Sequence, residues 1–479
     1  MQDLIDNIYN IIWSDALVYL CLLAGVYFTI RLRLPQLTQL REMVRLLFKG
    51  SGSEKGISSF QAFSLAISGR VGTGNIAGVA TAIGMGGPGA VFWMWVIAFL
   101  GSASAIIEAS LGQMYKEVSD GEYRGGPAFY ILKGLQNKTF AWTFAIVTIA
   151  STGFLLPSVQ SNSISTAAET AFGLSPVLTG ILLSGLLAII IIGGVKRISK
   201  VAEYVVPFMA GAYIIMALVI IGLNITEVPT IIALIIKSAF NAEATFGAVA
   251  GTAIAWGVKR GIYSNEAGQG TAPHAAAAAE VSHPIKQGLV QGFSVYVDTL
   301  FVCTATALMI LFTGQYNVEH PDGGFIVAHL PGIEMGPAFT QHAVSHHFPA
   351  LGGSFVALAL AFFAFTTIMA YYYIAETNVS FITRNGGKIW LIWMLRVLIL
   401  GSVYMGCVST AKSAWTLGDI GVGLMAWLNL IAIIFLHQKV VLLYNDYNKQ
   451  KKAGLDPTFD NEELNLPNMK TWSKKSKLS

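Results

Sequence analysis

Charged side chains are scarce in this chain of 479 residues: Asp, Glu, Lys and Arg together make up 12%. Soluble domains carry about 25% of these residues, so a water-exposed globular fold is excluded. Hydrophobic residues account for 54% of the chain, and the formal net charge is only +4. The composition predicts an integral membrane protein embedded in a lipid bilayer, with no nucleic acid as a partner.

Cysteine is almost absent. Cys21, Cys303 and Cys407 each lie inside an apolar run and are far apart, which excludes a disulfide framework and a thiolate metal site. A cleavable signal peptide is not expected either, because Asp3 and Asp6 stand where such a peptide is basic. The first apolar run therefore stays as a membrane span.

Apolar segments long enough to cross a bilayer recur along the chain. We predict eleven spans, at residues 12–30, 60–84, 89–115, 139–172, 175–194, 198–223, 228–261 (interrupted), 287–313, 353–380, 388–408 and 413–438. With this count, 26 of the 30 basic residues lie on one side, including Lys259 and Arg260 after the seventh span. The positive-inside rule then predicts a multi-pass protein of the cell membrane, with its N-terminus outside and its C-terminus cytoplasmic.

The second span is interrupted by Ser-Gly-Arg-Val-Gly-Thr-Gly-Asn at residues 68–75. Each of its three glycines costs about 1 kcal/mol relative to alanine inside a helix. Unwound backbone is tolerated in a membrane only where it is buried in protein or lines a cavity, and transporters use such breaks to bind small charged solutes. The alternative is a continuous helix whose glycines let a neighbouring helix pack closely.

A second interruption is predicted at residues 241–247, Asn-Ala-Glu-Ala-Thr-Phe-Gly, in the seventh span. Two broken spans five spans apart favour inverted repeats of five helices each. We therefore expect one transmembrane domain at residues 1–440, with repeats at about 58–223 and 227–440, and a polar cytoplasmic tail at 441–479. Alternatively, residues 241–245 form an outside loop and the span begins at Phe246.

The first break predicts where an anion and a cation bind. Thr73, Gly74 and Asn75 begin the second half-helix, where free N–H groups favour a carboxylate. The carbonyls of Ser68 and Val71, at the end of the first half-helix, suit a cation that prefers oxygen ligands. Further oxygens are available from Thr366 and Thr367 in the ninth span, although paired threonines often bond to their own helix instead.

Other polar residues within spans leave alternatives open. Gln160 can bind a zwitterionic substrate or join two helices. Asp298 must face the protein interior, with Arg70 or Arg396 as a possible partner. Arg70 itself lies in the first break, where it is expected to gate the pathway or contact the substrate. No ligand role is predicted for residues 264–274, for which a structural inner-gate turn is expected.

Several segments closely resemble the alanine or glycine:cation symporter family. They are Gly-Gly-Pro-Gly-Ala-Val-Phe-Trp-Met-Trp-Val-Ile-Ala-Phe-Leu-Gly at residues 86–101, Val-Gly-Thr-Gly-Asn-Ile-Ala-Gly-Val-Ala-Thr-Ala-Ile at 71–83, Arg-Gly-Ile-Tyr-Ser-Asn-Glu-Ala-Gly-Gln-Gly at 260–270, Gln-Ser-Asn at 160–162 and Phe-Thr-Thr at 365–367. The family is similar in fold to the leucine transporter. The resemblance thus implies an all-α protein with one N-terminal helix, followed by a 5+5 inverted repeat with two broken helices.

The same resemblance implies a set of site residues. Sodium is expected at the carbonyls of Ser68 and Val71 and the hydroxyls of Thr366 and Thr367. The Thr73 and Gly74 amides are expected to hold the substrate carboxylate, and Gln160 and Phe246 to line the pocket. One departure is Ala370-Tyr371, where alanine carriers of the family commonly have Gly-Trp. With Tyr371 at the pocket edge, a larger substrate such as glutamine becomes an alternative.

The sequence thus predicts a sodium symporter that imports alanine, glycine or a similar small neutral amino acid. Glutamine as the main substrate and proton coupling are the alternatives. A channel would need a ring of pore-lining residues, and an intramembrane enzyme would need a metal-ligand cluster; the sequence offers neither. No organic cofactor is expected, and the oligomeric state stays open.

Overall fold

The fold is almost entirely helical. The computed structural model describes residues 2–49, 52–53, 55–119, 121–192, 194–240, 244–384, 389–464 and 466–472. Within these residues, the strands form two small antiparallel hairpins, β1 (Glu117–Ser119) with β2 (Glu122–Arg124) and β3 (Asn317–Glu319) with β4 (Phe325–Ala328). Both hairpins connect helices and belong to no larger sheet.

Twelve helices lie in the described residues of the first part of the chain. These are α1 (Gln2–Ile12), α2 (Asp15–Arg31), α3 (Pro35–Thr38), α4 (Leu40–Leu47), α5 (Ser59–Arg70), α6 (Val79–Gly86), α7 (Gly89–Met114), α8 (Pro127–Tyr130), α9 (Lys138–Ala150), α10 (Leu156–Phe172), α11 (Pro176–Ile191) and α12 (Gly194–Leu223). A capping box between Ser58 and Gln61 starts α5. π-helical turns occur at Gly74–Gly78, Ile131–Leu135 and Ser151–Leu155.

The second part contains ten helices among the described residues. These are α13 (Val228–Ala239), α14 (Ala250–Asn265), α15 (Ala272–Ala278), α16 (Pro284–Val295), α17 (Thr304–Thr313), α18 (Pro337–His347), α19 (Gly352–Thr383), α20 (Ile389–Val408), α21 (Ala411–Lys452) and α22 (Asn461–Leu464). A π-helical segment, Tyr296–Cys303, joins α16 to α17, and 3-10 turns lie at Ile225–Glu227, Ala244–Val249 and Lys470–Trp472.

Eight helical segments in the described part of the chain are long and apolar enough to cross a membrane. They are Ile5–Arg31, Gly89–Met114, Lys138–Phe172, Lys196–Leu223, Pro284–Thr313, Gly352–Thr383, Ile389–Val408 and Ala411–Lys452. The prediction of an all-α polytopic membrane protein is confirmed. The three other predicted spans correspond to the shorter α11 and to two stretches divided into short helices.

The predicted interruption at residues 241–247 lies between α13, which ends at Ala239, and α14, which begins at Ala250. Residues 241–243 are outside the described residues, and Ala244–Val249 forms a 3-10 segment before α14. The chain also unwinds at residues 266–271, between α14 and α15, and we call this segment the second break. Glu266, Gly268 and Gly270 have φ of +54°, +82° and +88° there, a region in which glycine is favoured and other residues are uncommon.

The two broken stretches pack against each other half by half. Helix α5 contacts α15, and α6 contacts α14. At one end, Ile57 pairs with Ala279 in an isolated parallel bridge. At the two breaks, a Cβ added to Gly74 would lie 3.0 Å from Ser264 Cα. Residues that flank the two unwound segments are therefore adjacent, and each segment is enclosed by protein.

Lys259 and Arg260 were predicted to follow a span on the cytoplasmic side, and the structure corrects this. Both residues lie inside α14 and are buried. Arg260 forms a two-bond ion pair with Asp419 of α21, with both N–O distances at 2.9 Å. Lys259 donates to the hydroxyl of Tyr9 at 2.5 Å. These two residues therefore no longer count among the basic residues predicted to lie on the cytoplasmic side.

Residues after the last span pack back onto the protein. Helix α21 continues past the predicted boundary at residue 440 as far as Lys452. Asp456 then pairs with Lys286 at 2.8 Å, and Trp472 Nε1 donates to the Gln113 carbonyl at 2.9 Å. We call the face contacted by residues 453–472 the tail face. Residues 465 and 473–479 of the predicted tail lie outside the described residues.

An acidic residue of α4 links this helix to the end of α21. Glu42 accepts hydrogen bonds from Arg45 and Tyr447 at 2.5 Å each, and from Lys451 at 3.1 Å. Burial alone would raise the pKa of Glu42, but these three hydrogen bonds outweigh it and lower the pKa from 4.5 to about 2. The carboxylate is thus held in its charged form.

Candidate functional site

The first break is short and tightly packed. Helix α5 ends at Arg70, Val71 leaves the helical region with ψ of 88°, and helical structure resumes at Gly74. A Cβ on Gly72 would lie 2.5 Å from Thr367 Oγ1 and 2.9 Å from Gln160 Oε1. Only glycine allows α10 and α19 to bring these polar groups so close to the backbone.

Backbone carbonyls converge on one hydroxyl at this break. Thr367 Oγ1 lies 2.8 Å from the Ser68 carbonyl oxygen, 3.4 Å from that of Val71 and 3.0 Å from that of Phe363. A hydroxyl has a single proton to donate. The carbonyl oxygens that do not receive this proton therefore lie close to the hydroxyl oxygen, and all of these atoms carry partial negative charge. An arrangement of this kind suits a small cation with oxygen ligands. Ser68, Val71 and Thr367, three of the predicted ligands, thus lie close together.

Thr366 does not join this group. Its hydroxyl donates back to the Phe362 and Phe363 carbonyls of α19 at 3.0 Å each, and it lies 3.8 Å from Met209 Sδ. Its side chain therefore faces α12 and not the break. The Phe363 carbonyl was not predicted. Its position four residues before Thr367 is the signal that would have indicated it, since a helical hydroxyl often meets that carbonyl.

Thr73 and Gln160 meet at the start of the second half-helix. The Thr73 N–H donates to Gln160 Oε1 at 2.9 Å. The Thr73 hydroxyl is fully buried and has no hydrogen-bond partner among the described residues. Gly74 follows, packed against Ser264. The Thr73 N–H group, which was predicted to bind a substrate carboxylate, is thus already hydrogen-bonded to a side-chain oxygen.

Asn75 faces away from this pocket. Its Oδ1 accepts the Gly72 N–H at 2.8 Å, and its Nδ2 donates to Asp298 Oδ1 at 2.6 Å. Asp298 also accepts from Ser264 at 2.9 Å and from Thr299 at 2.7 Å. Asn75 therefore connects the break to the π-helical segment between α16 and α17, and Asp298 is satisfied by neutral donors.

Two further predicted pocket residues lie in different places. Phe246 packs near Gly87 at the end of α6, where a Cβ on that glycine would lie 3.3 Å from its ring. The structure does not bring Phe246 to Gln160. Tyr371, by contrast, lies one helical turn after Thr367 and interacts with Glu266 of the second break. The pocket edge on α19 therefore faces the second break.

Glu108 of α7 holds the second break in place, a role that the sequence analysis did not predict. Its two carboxylate oxygens accept the N–H groups of Gly268 and Gly270 at 3.2 and 3.1 Å, and Asn429 Nδ2 donates to it at 2.7 Å. Unwound N–H groups need such partners inside a membrane protein. A carboxylate buried within an apolar span was the available signal.

Arg70 is fully buried beside both breaks. Its Nη1 donates to the Gln291 carbonyl at 3.1 Å and to the Ser294 hydroxyl, while Nε and Nη2 have no hydrogen bond among the described residues. The carboxylates of Glu108, Glu266 and Asp298 act on it electrostatically. Its positive charge thus lies near three buried acidic side chains, without a direct ion pair in the described part of the chain.

A family model and two curated relatives match most of this chain. The model of the sodium:alanine symporter family matches residues 1–461. The protein YrbD of Bacillus subtilis (strain 168) is 56% identical, over 99% of this chain and 98% of its own length. The sodium/proton-dependent alanine carrier protein of Bacillus sp. (strain PS3) is 49% identical, over 90% and 97%. A solved Na+-coupled sialic acid symporter is 12% identical, with a TM-score of 0.47 over 90% of this chain and 82% of that one.

Proposed function

The chain belongs to the sodium:alanine symporter family, and we propose that it imports alanine together with sodium. The family is one of transporters, and the chain is not an enzyme. Alanine is the substrate named for the carrier of Bacillus sp. (strain PS3). The observation that carries the proposal is the convergence of the Ser68, Val71 and Phe363 carbonyls on the Thr367 hydroxyl, next to the Thr73 N–H group.

In this proposal, the first break binds both solutes. Sodium takes the carbonyl oxygens of Ser68 and Val71 together with Thr367 Oγ1, with the Phe363 carbonyl as a further ligand. The alanine carboxylate accepts the Thr73 N–H in place of Gln160 Oε1, and the unpaired Thr73 hydroxyl donates to it. Gln160 then turns toward the substrate, which needs donors and acceptors for its charged ends.

We further propose eleven spans. The eight long helices supply eight, α11 supplies one, and two are the broken stretches α5–α6 and α14–α15. The half-by-half packing of α5 with α15 and of α6 with α14 supports inverted repeats within residues 58–223 and 227–440. The second break in this arrangement is at residues 266–271, and α13 precedes the span.

The proposed orientation has the N-terminus outside and the tail face in the cytoplasm. It still rests on the positive-inside rule, since the basic residues after α2, α7, α11 and α21 remain on one side when Lys259 and Arg260 are left out. The membrane is proposed to be the cell membrane. Residues 441–479 form the cytoplasmic tail; among its described residues, those up to Lys452 continue α21 and others pack on the tail face.

The test is uptake of labelled alanine by proteoliposomes containing the purified protein. We expect an inward sodium gradient to accumulate alanine, and a proton gradient of equal size, with potassium replacing sodium, to leave uptake at the level of protein-free vesicles. Equal uptake under both gradients would contradict sodium coupling. Labelled glutamine is the parallel arm. Sodium-driven uptake of glutamine alone would keep the mechanism and replace the proposed substrate.

A further inference from the structure

A small cavity lies beside the second break, on the tail-face side of Thr367. The space open to the centre of a water molecule is 10 Å³, which is room for about one water. The cavity is enclosed by three helices and the break, and its lining includes Gly69, Glu266, Thr271, Ala275, Ala370 and Tyr373.

Glu266 is the charged side chain of this cavity. It is 2% exposed, and its Oε2 accepts the Thr271 hydroxyl at 2.7 Å. Tyr371 interacts with the carboxyl through its hydroxyl and Arg70 acts on it electrostatically, but Oε1 has no partner within hydrogen-bond geometry among the described residues. A buried carboxylate oxygen without a partner is costly and attracts a cation or a donor.

The residues that line the cavity on α5 and α19 are close in sequence to the cluster at Thr367. Gly69 directly follows Ser68 on α5, and a Cβ on Gly69 would lie 3.3 Å from Glu266 Oε2. On α19, Ala370 is three residues beyond Thr367, an axial distance of about 4.5 Å toward the tail face. A cation leaving the Thr367 cluster in that direction meets the Glu266 carboxylate within one helical turn.

We infer that Glu266, with the Thr271 hydroxyl and a water molecule, forms a transient sodium site on the exit path from the Thr367 cluster to the cytoplasm. The inference rests on the function proposed above, and extends it from where sodium binds to how it leaves. Sodium accepts carboxylate, hydroxyl and water ligands. The carboxylate takes over part of the ion's coordination as the Ser68 and Val71 carbonyls release it.

The test separates sodium release from alanine binding. In proteoliposomes, net alanine uptake driven by a sodium gradient requires sodium to leave on the inner side. Exchange of labelled for unlabelled alanine, with saturating sodium on both sides, does not. We expect Glu266→Gln to lower net uptake at least tenfold and to leave exchange within twofold of wild type. Glu266→Asp should recover part of the net uptake, because it keeps the charge.

Glu376→Gln is the matched control. Glu376 is a buried carboxyl further along α19 that does not line the cavity, and its variant should leave the ratio of net uptake to exchange unchanged. Size-exclusion profile and melting temperature establish folding. Should Glu266→Gln fail to fold, Thr271→Val is used instead, with the same pattern expected at about threefold.

Three results would overturn the inference: unchanged net uptake in Glu266→Gln, an equal loss of exchange and net uptake in a folded variant, or proton-driven uptake by wild type that this variant abolishes. The last result would make Glu266 a proton carrier. The wild-type arm tests the proposed function separately. Without sodium-driven uptake by wild type the proposed function itself fails, whereas normal wild-type uptake with an unaffected variant removes only the exit site.

Discussion

Replacing Thr367 by valine tests the cation site through a single oxygen atom. Valine keeps the branched shape and removes the hydroxyl on which the Ser68, Val71 and Phe363 carbonyls converge at 2.8, 3.4 and 3.0 Å. Thr366→Val is the matched control on the adjacent residue. The Thr366 hydroxyl bonds to the Phe362 and Phe363 carbonyls of its own helix and to Met209 Sδ. It shares the Phe363 carbonyl with the site but supplies no oxygen to it, so its loss should have a much smaller effect.

The size of the expected effect on sodium dependence follows from the binding free energy that one hydroxyl ligand contributes. A hydrogen bond to a charged group contributes about 1.5–3 kcal/mol, and we take the loss of one hydroxyl ligand of sodium to be of the same order. Since 1.4 kcal/mol corresponds to a factor of ten, the sodium concentration for half-maximal uptake should rise about 10- to 100-fold in Thr367→Val. For Thr366→Val we expect a change of less than about threefold, from small packing effects.

The assay is the initial rate of alanine uptake by proteoliposomes as a function of external sodium, at fixed alanine. Melting temperatures of both variants, measured in detergent, separate a lost ligand from a lost fold. Sodium dependence within twofold of wild type for a folded Thr367→Val would refute the assignment. Equal effects of the two variants would refute the distinction drawn between the two threonines.

Three further predictions concern other contacts. Gly72→Ala should lower alanine uptake at least tenfold, because its Cβ would lie 2.5 Å from Thr367 Oγ1. Gly185→Ala, whose Cβ would have nothing within 4 Å, should transport normally. Comparable losses of uptake in both variants would contradict the packing argument. Asp419→Asn breaks a buried two-bond ion pair with Arg260 and should cost about 3–5 kcal/mol of stability, seen as a lower melting temperature. An unchanged melting temperature would show that the pair is not stabilising. The pKa of Glu42 is about 2 in the folded protein against an ordinary 4.5, so its contribution to stability is complete above pH 4.5 and is lost as the pH falls toward 2. Between pH 6 and pH 3, the melting temperature should therefore fall less steeply for Glu42→Gln than for wild type. Parallel curves for the two proteins would contradict this.

The sequence was sufficient for the membrane class and for the first break, because both depend on local chemistry. Long apolar runs can be satisfied only by a bilayer or a protein core, and three glycines between residues 68 and 75 mark where a helix unwinds. The oxygen cluster also followed from local rules, because Ser68 and Val71 end a half-helix. That Thr367 and not Thr366 turns toward them depends on the rotation of α19, which two adjacent threonines leave undetermined.

The unwound segment at residues 266–271 was not predicted, because composition alone does not show which of two polar interruptions is an unwound segment enclosed by protein. The polar residues at 241–247 and the glycine-containing segment at 266–271 both interrupt apolar sequence. What identifies the latter is tertiary: Glu108, far away in sequence on α7, accepts the N–H groups of Gly268 and Gly270. For the same reason Arg260 was assigned to a loop, since its partner Asp419 lies 159 residues away.

The most direct test of the account is alanine-stimulated entry of ²²Na⁺ into proteoliposomes, measured in parallel for wild type and Thr367→Val. If the break binds both solutes for joint transport, external alanine should increase ²²Na⁺ entry into wild-type vesicles, and this increase should be lost in the variant at sodium concentrations that half-saturate wild type. Entry of ²²Na⁺ that is indifferent to alanine in wild-type vesicles would contradict coupled transport through this site.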